Sequence, residues 1–164
     1  DGILKMAPAG ELDRLEYNTK TPIIGSDGSV SIANGELFRL KAELAPDGQD
    51  KIGFVVRADE KTGNKTEIYY DAVNGKLVFD ATNSGIDGLQ IKEEAPFKLM
   101  PGEKLSLDIF VDKSVIEVYA NERQAICRRV YPASPEDAVK VMLIGNQNAV
   151  LAITASDMAP TNPY

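Results

Sequence analysis

Hydrophobic and polar residues alternate along several short segments of this chain. In residues 37–44 the even positions, from Phe38 to Leu44, are apolar and most odd positions are polar. In residues 105–112 the odd positions, from Leu105 to Val111, are apolar in the same way. Successive side chains of a strand point to opposite faces of a sheet. Each segment therefore predicts a strand with one face in a core and one face toward solvent.

Two further segments are more continuously apolar, and turn dipeptides punctuate the whole chain. Residues 139–144 predict a central strand covered on both faces, and residues 150–154 read in a similar way. Dipeptides of Asp, Asn, Thr or Ser before Gly favour tight turns between strands. They occur at 27–28, 34–35, 47–48, 62–63, 74–75, 84–85 and 87–88. About ten strands are expected, which predicts an all-β chain folded as a two-sheet antiparallel β-sandwich of the concanavalin A-like or jelly-roll type.

Helical signals are scarce. Residues 10–16 could form about two turns, and Ser134–Ala138, with Pro135 at its first helical position, predicts a single capped turn. We therefore divide the chain into a leader and linker at 1–27, a sandwich at 28–158 and a tail at 159–164.

Composition narrows the classes of partner. The 164 residues are 43% hydrophobic and 26% charged, as expected for one globular domain. With 18 Lys and Arg against 25 Asp and Glu, the net charge of −7 repels phosphate backbones and anionic surfaces. No apolar run approaches the length of a membrane span. We expect neither nucleic acid nor membrane as a partner.

Several site chemistries lack their residues. The chain has no His and one Cys, so His-based catalysis is excluded and a zinc site is not expected. No acidic run has the spacing of a calcium loop, and no phosphate-binding loop is complete, so no metal and no cofactor are predicted. Cys127 follows Ala125 and Ile126, which predicts a buried, unreactive thiol.

Carbohydrate binding usually depends on exposed aromatic rings near carboxylates and amides. Tyr70 and Tyr119 lie in predicted strands beside such groups and are the candidate carbohydrate-binding residues. Tyr69 and Tyr70 are adjacent, so one is expected in the core and the other at a rim. Pairs of acids are unavoidable among 25 acidic residues, and no pair is singled out by its spacing, so no catalytic residue is assigned.

One long stretch of the chain resembles a known family. Residues 105–121 read LSLDIFVDKSVIEVYAN, and residues 129–132 read RVYP. This resembles the pattern L-x-I-F-V-D-[RK]-S-x-x-E-V-[FY]-x-N, followed by R-x-Y-P, in the C-terminal β-sandwich of glycoside hydrolase family 32, which includes levanases, inulinases and invertases. The segment from Tyr70 to Asp80, the following Ser84-Gly85 and the leader at 8–15 are similar to that family too. Many members have a Trp in the last strand, and this chain has none.

The hairpin in this stretch also has a physical interpretation. Asp112 and Ser114 are expected to bond backbone amides in the turn. Glu117 should share a face with Val115 and Tyr119. If Glu117 is buried it needs a partner, and Arg128 or Arg129 on the next strand is the nearest candidate. We read Asp112, Ser114, Glu117 and Arg129 as structural residues.

The resemblance implies a function outside this sequence. In the family, catalysis belongs to a five-bladed propeller that precedes the sandwich and carries W-[ML]-N-D-P-N-G, E-C and R-D-P motifs, none of which occurs here. The chain is therefore expected to be a non-catalytic accessory module that supports the propeller of a fructan-hydrolysing enzyme. The alternative is a lectin-like module that itself holds fructan or another glycan.

The two hypotheses predict different surfaces and leave two further partners open. A supporting module should expose a large apolar patch, whereas a binding module should have a cleft lined by Tyr, Asn and carboxylates. Fructan oligosaccharides and a second copy of the chain in a homodimer are the further partners. Because such a parent enzyme would act on polymers, we expect it to be secreted or periplasmic.

Overall fold

The chain forms two six-stranded antiparallel sheets packed face to face, as the sequence predicts. The computed structural model describes residues 4–160, so the ends of the predicted leader and tail, 1–3 and 161–164, lie outside the described residues. The strands, numbered in chain order, are β1 (Glu16–Lys20), β2 (Ser29–Val30), β3 (Leu37–Leu44), β4 (Lys51–Ala58), β5 (Thr66–Asp71), β6 (Lys76–Asp80), β7 (Lys92–Pro96), β8 (Leu105–Asp112), β9 (Val115–Ala120), β10 (Gln124–Arg129), β11 (Lys140–Ile144) and β12 (Val150–Met158).

The strand order places β8 and β9 near one end of the first sheet. That sheet runs β1-β12-β3-β8-β9-β10, and the second runs β2-β11-β4-β5-β6-β7. Two short 3₁₀ helices, Gly10–Leu15 and Gln147–Ala149, are the helical elements of the described residues. The first corresponds to the predicted turns at 10–16, and Ser134–Ala138 forms a single turn closed by bonds from the Asp137 and Ala138 amides to the Ser134 carbonyl.

The core lies between the inner faces of the two sheets. The alternation in β3 and β8 is confirmed, because Phe38, Leu40, Leu107 and Ile109 are all at most 1% exposed. Phe54 of β4 faces them from the second sheet and is fully buried. Burying side chains of this size contributes about 1.5–3 kcal/mol each, so the period-2 pattern is the main determinant of which face turns inward.

Two predicted features differ from the structure. Residues 139–144 do not form a strand covered on both faces, because Met142 and Ile144 are half-buried and Val139 is 39% exposed. In the described residues β11 lies next to the edge of its sheet, beside the two-residue β2, and of its five residues only Val141 is buried. β1 lies within the segment predicted as a leader, so part of that segment is built into the first sheet through its pairing with β12.

Candidate functional site

The outer face of the first sheet carries a buried arginine held by three carboxylates. Arg39 on β3 is 4% exposed, although the alternation placed it toward solvent. Its Nε and Nη2 donate to both oxygens of Asp108 on β8, at 2.8 and 2.6 Å. Its Nη1 donates to Asp13 Oδ1 and Glu16 Oε1, each at 2.5 Å. We call Asp13, Glu16, Arg39, Lys41 and Asp108 the Arg39 cluster.

The cluster attaches the incoming segment of chain to the sheet. Asp13 lies in the first 3₁₀ helix and Glu16 begins β1, whereas the arginine comes from the middle of the first sheet. Lys41 Nζ also donates to Glu16 Oε1 at 2.8 Å, and Ser156 Oγ donates to Glu16 Oε2 at 2.7 Å. Charge-assisted bonds of this kind are roughly twice as strong as neutral ones. Residues 13–16 are therefore fixed on the outer face of the sandwich.

The shifted pKa values in the cluster agree with this arrangement. Hydrogen bonding to Arg39, and then its charge, lower the pKa of the Asp13 carboxyl. Burial alone would raise the pKa of Glu16, but hydrogen bonds from Lys41 and Ser156 and the charge of Arg39 lower it overall. Burial opposes the charge of Arg39, yet bonds to Asp108 and Asp13 raise its pKa above the ordinary value. All these groups are charged near neutral pH.

An apolar groove lies beside the cluster. It has a volume of about 430 Å³ and is bounded by the incoming segment, the β8–β9 turn and the end of β12. Leu12, Leu15, Phe110, Val115 and Met158 supply apolar walls, with Asp112, Lys113 and Glu117 at the polar positions. The guanidinium carbon of Arg39 lies 4.4 Å from the centre of the Phe110 ring. Because Arg39 covers this ring, Phe110 is only 9% exposed although it points to the outer face.

The structural residues of the hairpin take the predicted faces but not all the predicted partners. Val115, Glu117 and Tyr119 share the outer face of β9. Glu117 accepts a bond from the Tyr119 hydroxyl at 3.0 Å and contacts Cys127 Sγ at 3.7 Å. The expected pairing of Glu117 with Arg128 or Arg129 is wrong, because Cys127 is the residue directly opposite on β10.

The other hairpin residues lie at the turn and on the next strand. Arg128 makes its ion pair with Glu93, and Arg129 is exposed opposite Val115. Asp112 is exposed. The bonds that hold the turn join backbone groups: the Lys113 amide donates to the Glu36 carbonyl, and the Ser114 carbonyl accepts from the Val130 amide. The structural roles expected of the Asp112, Ser114 and Arg129 side chains therefore stay predictions.

Cys127 is exposed, which corrects the prediction of a buried thiol. It lies on the outer face of the edge strand β10, where the alternation of Ala125, Ile126 and Cys127 turns Ile126 inward instead. Partial burial, and then the charge of Glu117, raise the pKa of this thiol. At neutral pH the thiol is therefore protonated and a weak nucleophile.

The two candidate sugar-binding tyrosines lie on different sheets. Tyr70 is 5% exposed in the core, with its ring edge-on to Phe97 at 5.8 Å and its hydroxyl accepting from the Leu99 amide at 3.4 Å. A ring in that position offers no face to a sugar, so the expectation for Tyr70 is corrected. Tyr69 points to the opposite face, as predicted, but it is 1% exposed beneath Lys51. Tyr119 is half-buried on the outer face of the first sheet.

A polar cleft lies at the opposite end of the sandwich from the β8–β9 turn. Its volume is about 490 Å³, and its side chains include Ser26, Asp27, Asn146, Gln147 and Asn148. It contains the amides and a carboxylate expected of a glycan cleft, but none of the residues 4–160 that line it is a Tyr. The described residues thus contain both an apolar groove and a polar cleft.

Seven carboxylates of the described residues are poorly suited to act as a catalytic acid. A glycosidase acid needs a raised pKa so that it stays protonated at working pH. Among residues 4–160, the carboxyl groups with clearly shifted pKa values are all lowered, because each accepts hydrogen bonds or faces a cation. They are Asp13, Glu16, Asp27, Asp59, Asp71, Glu94 and Glu103. No group of three or more His, Cys, Asp or Glu in that part of the chain could hold a metal ion. No helix there is long and apolar enough to span a membrane.

The pKa of the Tyr119 phenol tests the contact between Tyr119 and Glu117. Burial first, and then the bond to Glu117 and its charge, raise the pKa of Tyr119 to about 12. The difference in ultraviolet absorbance titration between the chain and Tyr119→Phe is expected to show one phenol ionising near pH 12. Because the folded pKa lies above the unfolded value, the contribution of Tyr119 to stability is complete below about pH 10 and is lost as the pH rises further.

Glu117→Gln is the matched control for this titration. It keeps the size and hydrogen-bonding capacity of the side chain but removes its charge, so the midpoint should move down toward the ordinary value. An unchanged midpoint in Glu117→Gln would contradict the hydrogen bond between Tyr119 and Glu117. So would a difference titration, between the original chain and Tyr119→Phe, that is centred near pH 10.

Comparison with known proteins places these features in a family. The family model described as "Glycosyl hydrolases family 32 C terminal" matches residues 11–157. The chain is 36% identical over 138 residues to a levanase of Bacillus subtilis strain 168, a match that covers 76% of this chain and 20% of the levanase. The chain thus spans about a fifth of the length of that relative.

Solved structures agree on the fold. Fructan 1-exohydrolase IIa from Cichorium intybus superposes with a TM-score of 0.75 at 15% identity, over 93% of this chain and 37% of that one. Exo-inulinase from Aspergillus awamori superposes with a TM-score of 0.73 at 20% identity, over 92% of this chain and 31% of that one. At these identities the likeness establishes a shared sandwich fold.

Proposed function

This chain belongs to the family of C-terminal domains of glycosyl hydrolases family 32. We propose that it is the accessory, non-catalytic module of a fructan-hydrolysing glycosidase. The observation that carries the proposal is the match of the family model to residues 11–157. The proposed partner is a catalytic five-bladed propeller in the same polypeptide, which the sandwich stabilises. The whole enzyme would cleave levan, inulin or sucrose.

The Arg39 cluster supports this role because it fixes the chain that enters the sandwich. A flexible linker would leave two domains free to move relative to each other. Here Asp13 and Glu16 are bonded to a buried arginine, and the Ala159 amide donates to the Leu15 carbonyl at 2.8 Å. We propose that the segment up to Leu15 is a rigid joint that sets the orientation of the sandwich against the propeller.

A domain exchange tests the supporting role. This chain replaces the matching region of the Bacillus subtilis levanase, and the exchange protein is compared with levanase truncated before that region. We expect the exchange protein to hydrolyse levan and to survive heating longer than the truncated form. This chain alone should release no sugar from levan. Hydrolysis by the chain alone, or an exchange protein as labile as the truncated one, would refute the proposal.

A second candidate function is fructan binding by the sandwich itself. The polar cleft at Asp27, Asn146 and Asn148 favours it, because amides and carboxylates bond sugar hydroxyls. Calorimetric titration with levan and inulin oligosaccharides decides the matter. Saturable binding that Asn148→Ala abolishes and Tyr119→Phe leaves intact would assign it to the cleft, and the reverse pattern would assign it to Tyr119. A flat trace at millimolar ligand would leave only the supporting role.

A homodimer, as a further proposed partner, would appear in sedimentation of the same samples.

A further inference from the structure

The edge strands of the two sheets, β7 and β10, lie side by side along one margin of the sandwich. Among residues 4–160, β10 pairs only with β9, and β7 pairs only with β6. Side chains join the two margins: Gln124 Nε2 donates to the Pro96 carbonyl at 3.2 Å, and Arg128 forms an ion pair with Glu93. Sheet margins expose unpaired backbone groups, and proteins usually cover them. We call β7, β10, the loop 84–91 and Tyr131 the β7–β10 edge.

The loop at one end of this edge presents several apolar side chains together. Ile86, Leu89 and Ile91 are 76%, 60% and 40% exposed, and Tyr131 beside them is 37% exposed. The loop is held in place, because the Ile86 amide donates to the Tyr131 carbonyl at 3.1 Å and the backbones of Asp87 and Tyr131 form an isolated antiparallel β-bridge. Single exposed apolar residues are ordinary, but a grouped and fixed set marks an interaction surface.

The incoming chain reaches the sandwich at the other end of the same edge. The Met6 amide donates to the Glu122 carbonyl at 2.9 Å, and Lys5 Nζ donates to the Glu122 carboxylate at 2.7 Å. Glu122 lies in the turn between β9 and β10. Leu4, the first described residue, is 79% exposed there. Any domain that precedes this chain is therefore tethered beside β10.

We propose that the β7–β10 edge is the surface on which the catalytic domain of the same polypeptide docks, with Ile86, Leu89 and Ile91 as its apolar anchor. The inference rests on the proposed function. Three observations support it: the chain is tethered at Glu122, the apolar loop lies at the far end of β10, and most of the related levanase lies outside the matched region. The family is a C-terminal one, and 80% of the levanase lies outside the matched region. A preceding domain larger than this sandwich and attached beside Glu122 can reach along the six residues of β10 to the loop 84–91.

The exchange protein described above provides the test. Ile86→Ser with Leu89→Ser removes the most exposed anchors. Ile23→Ser with Leu151→Ser is the matched control, because those residues are 77% and 48% exposed and lie beside β2 and on β12, far from β7 and β10 in the strand order of each sheet. All four positions are exposed, so each isolated chain should unfold at nearly the same denaturant concentration as the original.

Hydrogen exchange and heat survival are measured on the exchange protein and on the isolated chain. We expect amides of residues 84–91 and 124–131 to exchange about tenfold more slowly in the exchange protein than in the isolated chain. The Ile86→Ser, Leu89→Ser variant should lose that protection and the extra heat survival, while the control variant keeps both.

The possible failures are distinct. Heat survival above that of truncated levanase, with protection on another face and none at 84–91, would overturn the edge assignment and leave the proposed function standing. Exchange protein no more stable than truncated levanase would overturn both. An isolated chain that sediments as a dimer, and reverts to a monomer in the Ile86→Ser, Leu89→Ser variant, would assign the surface to a second copy and overturn this proposal.

Discussion

Replacement of Arg39 by methionine is expected to lower the free energy of unfolding by about 3 kcal/mol, the lower end of the range for breaking a buried ion pair. The lower end applies because Asp108 and Glu16 keep 20% and 12% side-chain exposure, so water relieves part of their charge. Methionine fills much of the same space but leaves three carboxylates without their shared cation. Urea unfolding at pH 7 of the chain and the variant measures the difference.

The matched control and the pH dependence make this prediction specific. Lys41→Met removes a cation that is 42% exposed and should cost less than about 1 kcal/mol. The folded pKa values of Asp13 and Glu16 lie below their unfolded values. Their contribution is therefore present above about pH 4–5 and is lost as the pH falls further. The gap between the chain and Arg39→Met should narrow in acid, and a gap that is constant from pH 7 to pH 3 would contradict the ion-pair account.

Substitution of Gly85 by alanine should destabilise the chain by about 2–3 kcal/mol. A Cβ at Gly85 would lie 1.8 Å from the Tyr131 carbonyl oxygen, closer than any real contact, and Gly85 has a φ of +150° that L side chains rarely adopt. The backbone of Tyr131 and Pro132 would have to move, and with it the loop that carries the proposed anchor. Urea unfolding measures the stability, and hydrogen exchange measures the loop.

Gly10→Ala is the control for Gly85→Ala. In the part of the chain that the structure describes, no atom lies within 4 Å of a Cβ built at Gly10, and the φ of Gly10 is not in the positive range. Its effect should be within about 0.5 kcal/mol of zero. If the two variants unfolded at the same urea concentration, the close approach of Gly85 to Tyr131 would not exist in solution.

Much of the fold can be predicted from the sequence because it follows from local periodicity. The alternation in residues 37–44 and 105–112 identified which side chains of β3 and β8 face the core, and glycine dipeptides marked turns between short strands. The hairpin motif at 105–121 and the R-V-Y-P segment identified the family, which the family model confirms. These features need only neighbouring residues in the chain.

The candidate site was harder to predict because its contacts join distant residues. Arg39 looked like a solvent-facing residue of an alternating strand, and its burial depends on Asp13 and Asp108, which lie 26 and 69 positions away. Alternation placed Tyr69 and Tyr70 on opposite faces but did not tell which one is in the core. Cys127 looked buried because its neighbours are apolar, yet β10 turns Ile126 inward and Cys127 outward.

The sequence by itself therefore determined most of the strands, the inward faces of β3 and β8 and the family, since hydrophobic burial acts at a fixed period of two along each strand. The tertiary structure decided which polar residues became buried. A side chain on an outer face is exposed until another part of the chain covers it, and the segment containing Asp13 and Glu16 crosses the first sheet over Arg39. Its path depends on long-range ion pairs, which leave no local pattern in the sequence.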